Sequence, residues 1–314
     1  MGRSRLYVED LADDPNRAVG YGRPDGSDPV HGQVAIPYYK SSVERRATGV
    51  GSPFAPAGCI SSCVEDLLKW ARLHLGDASA PEGLLSRDAL RTLHAPQMIL
   101  DAPLDMPQAE TTFRCYGLGW FVESYRGHTL VEHSGNIDGF SSFVGLLPDL
   151  DLGVVALTNM NGSLLHTALA HEVFDHYLGL SDGGWVGRYH DYAVEKGRQG
   201  ADMVEGLTGA RVPGASPSHD LADYAGTYAR PGYEPLMVTY EGGALAVEFN
   251  HWSVPLSHFH YDTFTLDDVL GELPPGIPVH FGLAPSGGTV DTVSVPLYTE
   301  PGTELVRFDR VGSS

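Results

Sequence analysis

The sequence predicts an α+β fold in two parts, an antiparallel sheet flanked by helices and then an all-β domain. Apolar residues recur at helical spacing in two stretches that lie on either side of four strand-like runs. Those four runs follow one another through short turns, which favours antiparallel pairing. Beyond residue 219, short strand-like runs alternate with Gly and Pro turns and show little helical periodicity.

Composition excludes several classes of protein. A length of 314 residues accommodates two ordinary domains, and 42% hydrophobic content is typical of a globular chain. A net charge of −20 argues against nucleic acid as a partner. The sequence as written shows neither a signal peptide nor a membrane span, which predicts a cytoplasmic protein without membrane contact. If an N-terminal segment is missing, a periplasmic or secreted location is expected instead.

The first elements predicted are two helices. Residues 1–56 show no clean periodicity and are expected to be irregular. A helix is predicted over 62–75, with Ser61 or Ser62 as its N-cap and Gly76 at its end. A second helix is predicted over 86–94, before a loop over 97–112.

The antiparallel sheet comes next along the chain. Its predicted strands cover residues 119–125, 129–133, 140–147 and 153–158. Residues 164–178 carry a helical apolar face that would pack on this sheet, and Gly179 is expected to end that helix.

The second part follows a predicted boundary region. Residues 188–207 are expected to form a helix, and 212–219 are rich in Pro, Gly and Ser, as linkers are. The predicted divisions are therefore 1–182, a helix and linker over 183–219, and a β-rich domain over 220–314. The last of these is expected to be a sandwich or a small barrel.

Three stretches carry a family resemblance. Residues 56–70, PAGCISSCVEDLLKW, are similar to a PAGG-x-x-ST-x-x-DL-x-x-W segment, with Cys59 where glycine is usual. The second stretch contains YGLGW, EHSG and DGFSS, and the third contains LPD and GVVALTN, over 116–142 and 147–159. In this order they make residues 1–182 resemble the serine β-lactamase-like hydrolases. That family includes class C β-lactamases, penicillin-binding DD-peptidases, D-aminopeptidases and esterases.

The tail, with AGTY at 225–228 and VRFDR at 306–310, is similar to a lipocalin-like β-rich domain often fused after such hydrolases. The resemblance implies the association of the two domains and no activity for the tail.

Two motifs of that family are absent from the sequence. Acyl transfer in the family uses Ser-x-x-Lys, in which lysine lies one helical turn from the serine that it activates. The residues three positions before the three lysines are Pro37, Asp66 and Ala193. None of the five asparagines has Tyr two positions earlier, so Tyr-x-Asn is absent as well.

The third family motif survives as His133-Ser134-Gly135, in the place of Lys-Thr-Gly. The resemblance implies that the side chains of His133 and Ser134 face substrate, that Gly135 allows close backbone approach, and that the Asn136 amide is an oxyanion donor. Without the nucleophile region, these residues are expected at an accessible strand edge beside an apolar surface. The competing interpretation of His133 is an ordinary strand-end histidine.

Other histidine patterns give weaker hypotheses. His171 and His176 are five residues apart on a helix, so their rings diverge and a solvated helix face is favoured over metal binding. His258 and His260 share one strand face without a cluster that would complete a metal site. No Gly-x-Ser-x-Gly elbow and no nucleotide-binding glycine motif occurs, and no cofactor is predicted.

Three functions remain open. The leading hypothesis is the C-terminal part of a serine hydrolase that acts on a small-molecule or peptide amide or ester and is inactive alone. The rival is a non-catalytic binding protein built on a degenerate hydrolase half. A third is a different enzyme that uses His133 as an acid or base. A homo-oligomer, or a separately made N-terminal half, is the expected partner.

Overall fold

The computed structural model describes fourteen stretches of the chain, which fall into two compact units, Met1–Glu195 and Lys196–Ser314. The described residues are 1–6, 8–11, 13–22, 34–36, 55–58, 60–77, 83–100, 110–137, 139–180, 183–249, 252–266, 277–285, 288–296 and 305–312. The division between the units falls inside a long helix.

The first unit is built on a six-stranded antiparallel sheet in which neighbours in sequence are neighbours in space. Its strands are β3 (Met98–Ile99), β4 (Arg114–Tyr116), β5 (Phe121–Tyr125), β6 (His128–Ile137), β7 (Phe140–Leu147) and β8 (Leu152–Thr158). A separate two-stranded sheet pairs β1 (Gly20–Gly22) with β2 (Val34–Ile36). Because each connection between β4 and β8 is short, the meander is antiparallel, as the sequence predicts.

The helices of this unit are α1 (Ala55–Gly58), α2 (Val64–His74), α3 (Arg87–Leu93) and α4 (Leu165–Tyr177), followed by α5 (Trp185–Gly209). The predicted Ser cap of α3 is confirmed, since the Ser86 hydroxyl accepts a hydrogen bond from the Ala89 N–H at 3.0 Å. For α2 the predicted serine cap is wrong. Cys63 occupies the N-cap and makes no side-chain capping bond. Gly76 ends α2 at φ +78°, a left-handed conformation that favours glycine.

The sheet separates two apolar clusters. On one side α4 and the start of α5 pack on it, around Tyr125, Leu130, Phe143 and Phe174, all nearly inaccessible to solvent. On the other side α2 packs around Trp120, Val131 and Leu146. Successive residues of a strand face opposite sides of the sheet, so β6 contributes Leu130 to one cluster and Val131 to the other.

Strand β6 is longer than the sequence predicts. The strand was predicted over 129–133, yet β6 continues to Ile137, where it pairs with Phe140 at the start of β7. The hairpin pairing with β7 therefore brings the whole third motif into the strand. A Cβ on Gly139 would lie 2.8 Å from the backbone of Gly20, so a larger residue does not fit there.

The second unit contains a closed antiparallel barrel of eight strands, each paired with its neighbour in sequence. The strands are β9 (Gly226–Ala229), β10 (Leu236–Glu241), β11 (Ala244–Phe249), β12 (Trp252–His260), β13 (Thr263–Leu266), β14 (Pro278–Leu283), β15 (Val290–Val295) and β16 (Val306–Arg310). A short helix, α6 (Leu221–Tyr224), precedes them. Closure removes the free edges that an open sheet would expose, and side chains fill the interior. Of the two predicted alternatives, the small barrel is correct.

The segment before α6 is attached to the barrel. Arg211 Nε donates to the Phe259 carbonyl at 3.0 Å, and the Val212 N–H donates to His260 Nδ1 at 3.3 Å. Further along, the Ser218 hydroxyl donates to Asp262 at 2.7 Å. The segment that composition predicts to be a linker therefore makes specific contacts with β12 and the turn after it.

Candidate functional site

The predicted site residues lie on a part of β6 that, among the described residues, pairs with one neighbouring strand only. Pairing with β5 ends where Phe121 faces Glu132, whereas pairing with β7 continues from Val131 to Ile137. Within the described residues, the stretch from His133 onward is thus paired on the β7 side only. His133, Ser134, Gly135 and Asn136 are all exposed. Their accessibility agrees with the expectation of an open strand edge.

His133 is held by hydrogen bonds at both ring nitrogens. Its Nδ1 lies 2.6 Å from the Ser134 carbonyl oxygen, and its Nε2 lies 3.0 Å from the Tyr116 hydroxyl. The Phe121 ring packs beside the imidazole, with 5.3 Å between ring centroids. The imidazole is exposed and is nevertheless fixed in one orientation.

Asn136 uses its side chain to join three parts of the fold. Its Oδ1 accepts from the Ser141 hydroxyl at 2.8 Å and from the Gly162 N–H at 2.6 Å. Its Nδ2 donates to Asn161 Oδ1 at 3.1 Å. The side-chain amide therefore stabilises the end of the β6–β7 hairpin.

A groove of about 340 Å³ opens beside His133. Its lining is largely apolar and includes Leu67, Trp70, Leu93, Leu118, Trp120 and Val144. His133 lines the groove and Ser134 does not, as the alternation of side chains along a strand requires. The structure therefore brings His133 together with the apolar surface and leaves Ser134 outside it.

A second imidazole lines the same groove. His74, 4% exposed, lies with its Nδ1 2.9 Å from His94 Nε2, and its ring packs against Trp70 and Trp120. Burial, together with the nearby His94, lowers the pKa of His74 to about 4. Both rings are neutral at pH 7 because burial also lowers the pKa of His94.

An arginine and two carboxylates lie next to His133. Arg114 is 3.2 Å from Glu123 and 3.1 Å from Glu132, and its guanidinium stacks on Phe121 at 3.9 Å. Burial and the like charge of Glu132 raise the pKa of Glu123 to about 7, although Arg114 opposes the shift. Burial likewise raises the pKa of Glu132.

Lys69 does not have the surroundings of a catalytic lysine. Its Nζ donates to Asp66 at 2.8 Å, and this bond raises the pKa of Lys69. Asp66 also accepts from the main-chain N–H groups of Arg3 and Ser4 at 2.7 and 2.9 Å. The pair fastens the first residues of the chain to the start of α2.

The other histidine patterns are structural. His171 is 2% exposed and hydrogen-bonds to the Tyr189 hydroxyl at 3.1 Å, whereas His176 is exposed. The rings diverge as predicted, but His171 lies in the core and not on a solvated face. A register shift separates His258 from His260 in β12. Among the described residues, no group of three or more His, Cys, Asp or Glu could hold a metal ion.

Sequence reasoning missed the residues that surround His133. Tyr116 belongs to the YGLGW stretch, and neither His74 nor His94 belongs to a motif that predicts a site. One signal was available for the pair, because His74 lies one residue before the end of a predicted helix and His94 ends the next one. No sequence pattern links Tyr116 to His133, which lies 17 positions further on.

Comparison with known proteins follows the same division of the chain. The sequence model of the family described as Beta-lactamase matches residues 1–177, and that of a domain of unknown function, DUF3471, matches residues 210–310. The chain belongs to the β-lactamase family, and its barrel is a DUF3471 domain.

Individual relatives match different shares of the chain. Unguisins hydrolase ungD of Aspergillus violaceofuscus (strain CBS 115571) is 27% identical over 253 residues, which cover 74% of this chain and 45% of the relative. Protein flp of Staphylococcus aureus (strain NCTC 8325 / PS 47) is 25% identical over 139 residues, or 43% of this chain and 25% of flp. The chain spans less than half the length of these curated relatives.

A solved structure, the octameric penicillin-binding protein homologue from Pyrococcus abyssi, aligns with a TM-score of 0.46 at 16% identity. The alignment covers 99% of this chain and 57% of that one. Within the part of the chain that the structure describes, no helix has both the length and the apolar character needed to cross a membrane.

Proposed function

We propose that the first unit forms one wall of the acyl-transfer site of a serine hydrolase. The proposed substrate is a small-molecule or peptide amide or ester. The observation that carries the proposal is the position of the third family motif, exposed on a stretch of β6 that pairs with β7 alone among the residues the structure describes. In this role the His133 imidazole faces the reacting groups. An oxyanion role for Asn136 falls to its main-chain N–H, because its side chain is engaged.

The nucleophile must come from outside these 314 residues. Neither Ser-x-x-Lys nor Tyr-x-Asn occurs in the sequence, and Lys69 is committed to Asp66. The groove beside His133 supports this proposal. Its apolar lining suits the apolar face of a helix, and a helix seated there would bring a Ser-x-x-Lys turn close to His133. The chain alone is therefore proposed to be inactive.

The test compares the chain alone with the chain in the presence of a candidate nucleophile segment. The DNA upstream and in frame is first translated and searched for Ser-x-x-Lys and Tyr-x-Asn, and any such segment is co-expressed with the chain. Both samples are treated with a fluorophosphonate probe and measured by intact mass. We expect no adduct on the chain alone and one adduct, on the added segment, in the complex.

Two other outcomes would contradict the proposal. A stoichiometric adduct on a serine of the isolated chain would show that the nucleophile is already present. A stable complex that never reacts with the probe would favour the rival function, a non-catalytic binding protein on a hydrolase scaffold. A His133→Ala variant of the complex serves as the matched control, since it should bind the segment and react more slowly.

A further inference from the structure

Both ring nitrogens of His133 make hydrogen bonds, and the chemistry of the two partners assigns the position of the ring proton. Nδ1 faces a carbonyl oxygen, that of Ser134, at 2.6 Å, so this nitrogen must carry the hydrogen. A neutral imidazole has only one N–H, which leaves Nε2 as an acceptor. The hydroxyl of Tyr116, 3.0 Å away, is then the donor to Nε2.

The Tyr116 ring is itself fixed in place. It packs edge to face on Phe121, with 4.8 Å between centroids. The guanidinium of Arg114 covers the same Phe121 ring at 3.9 Å and is held in turn by Glu132 at 3.1 Å. The phenol is therefore directed at His133 by packed neighbours and by an ion pair.

We propose that Tyr116 is the positioning residue of His133 and the group through which a proton reaches its Nε2. This inference rests on the proposed function. A hydroxyl that donates a hydrogen bond to the phenol oxygen would pass its proton to that oxygen while the phenol proton moves to Nε2. The donor is left as an alkoxide, Tyr116 remains a neutral phenol, and His133 becomes an imidazolium.

The first test is histidine-selective modification of the full chain. Diethyl pyrocarbonate reacts with an unprotonated ring nitrogen, and in the wild-type chain Tyr116 covers Nε2 of His133. Tyr116→Phe keeps the ring on Phe121 and removes the hydroxyl. Losing a hydrogen bond worth about 0.5–1.5 kcal/mol should raise the modification rate of His133 about 2- to 12-fold. Exposed His190 is the internal reference.

Tyr177→Phe is the matched control, because it removes the hydroxyl of an exposed tyrosine on α4. It should leave the His133 rate unchanged. An equal rate in the wild-type and Tyr116→Phe chains would overturn the inference. If Tyr116→Phe raises the modification rates of His133 and His190 together, the variant has loosened the fold. The position of the His133 proton is then measured directly in the wild-type chain.

Nitrogen NMR of the wild-type chain shows which ring nitrogen of His133 carries the hydrogen. We expect the neutral ring to carry its hydrogen on Nδ1 and to accept a hydrogen bond at an unprotonated Nε2. A protonated Nε2 in the neutral ring would refute the assignment. Neither measurement needs a nucleophile, so the inference about Tyr116 and the proposed function can fail separately. In the completed enzyme, Tyr116→Phe should lower kcat and leave KM unchanged.

Discussion

Acid should destabilise the first unit through the buried His171. This imidazole is stacked on Trp185, with 4.6 Å between ring centroids, and is 2% exposed. Burial lowers its pKa to about 4, although Asp175 and Glu110 oppose the shift. The folded state therefore keeps His171 neutral at a pH where the unfolded chain has already bound a proton. Stability is complete above the unfolded pKa and is lost as pH falls from about 6.5 towards 4.

The size of the effect follows from the two pKa values. Because the pKa of His171 falls from 6.5 to about 4 on folding, acid can lower the free energy of unfolding by at most about 3 kcal/mol, at about 1.4 kcal/mol per pKa unit. At pH 5 the same linkage gives a loss of about 2 kcal/mol, and at pH 7.5 it gives almost none. Other groups titrate in this range, so the prediction concerns the difference between the wild-type chain and His171→Phe, which keeps an aromatic ring in the core.

The assay is urea unfolding at pH 7.5 and pH 5.0, followed by hydrogen exchange in peptides from α4, which report on the first unit. Between the two pH values, the wild-type chain should lose about 2 kcal/mol more than His171→Phe. Carboxylate titrations are shared by both chains and cancel in the difference. If the difference in unfolding free energy between the wild-type chain and His171→Phe is the same at both pH values, the claim that His171 stays neutral in the folded state is refuted.

Three further predictions concern other sites. The pKa of Glu123 is about 7 in the folded state, so the free energy of unfolding falls as pH rises from about 4.5 to 7. In thermal melts between pH 5 and pH 8, Glu123→Gln should therefore gain about 2 kcal/mol of stability relative to the wild-type chain. Phe174→Ala, at a fully buried position, should cost about 3–5 kcal/mol in urea unfolding, whereas Leu165→Ala on the exposed side of α4 should cost less than about 1. Trypsin should cleave slowly after Arg211 because its side chain is bonded to β12, and Asp262→Ala should accelerate that cleavage. Rapid cleavage in the wild-type chain would contradict the observed attachment.

The elements that could be predicted are those with a strong period or a strong stop signal. Helix α4 was predicted over 164–178 and forms over Leu165–Tyr177, because its apolar face repeats and Gly179 follows at φ +71°. Strand β12 was predicted only around His258 and His260, since Pro255 interrupts its earlier part and a register shift breaks its alternation near His258. Barrel closure is a long-range pairing of β9 with β16 that no local pattern encodes.

The candidate site was predictable only along one strand. The order of motifs located His133 and Asn136, because a motif is a local pattern. The partners of His133 come from β4, the groove comes from α2 and α3, and the engagement of the Asn136 side chain depends on the turn after β8. Each of these is a tertiary contact, and the spacing of residues in the sequence does not predict such contacts. The resemblance implies that His133 and Ser134 both face substrate, and the pleat of the strand places only His133 among the residues that line the groove.

The strand that carries His133 is anchored from both faces of the sheet by residues of this chain. Leu130 is buried among α4 and its neighbours on one face of the sheet, and Val131 is buried against the α2 side on the other. These two residues fix β6 from both faces only two to three positions before His133, and the hairpin with β7 fixes it beyond. Strand β6 is thus positioned by the apolar core of the first unit. A segment that supplies Ser-x-x-Lys would meet an orientation of His133 that Tyr116 and Ser134 already maintain, so completing the site would require docking and little refolding of this chain.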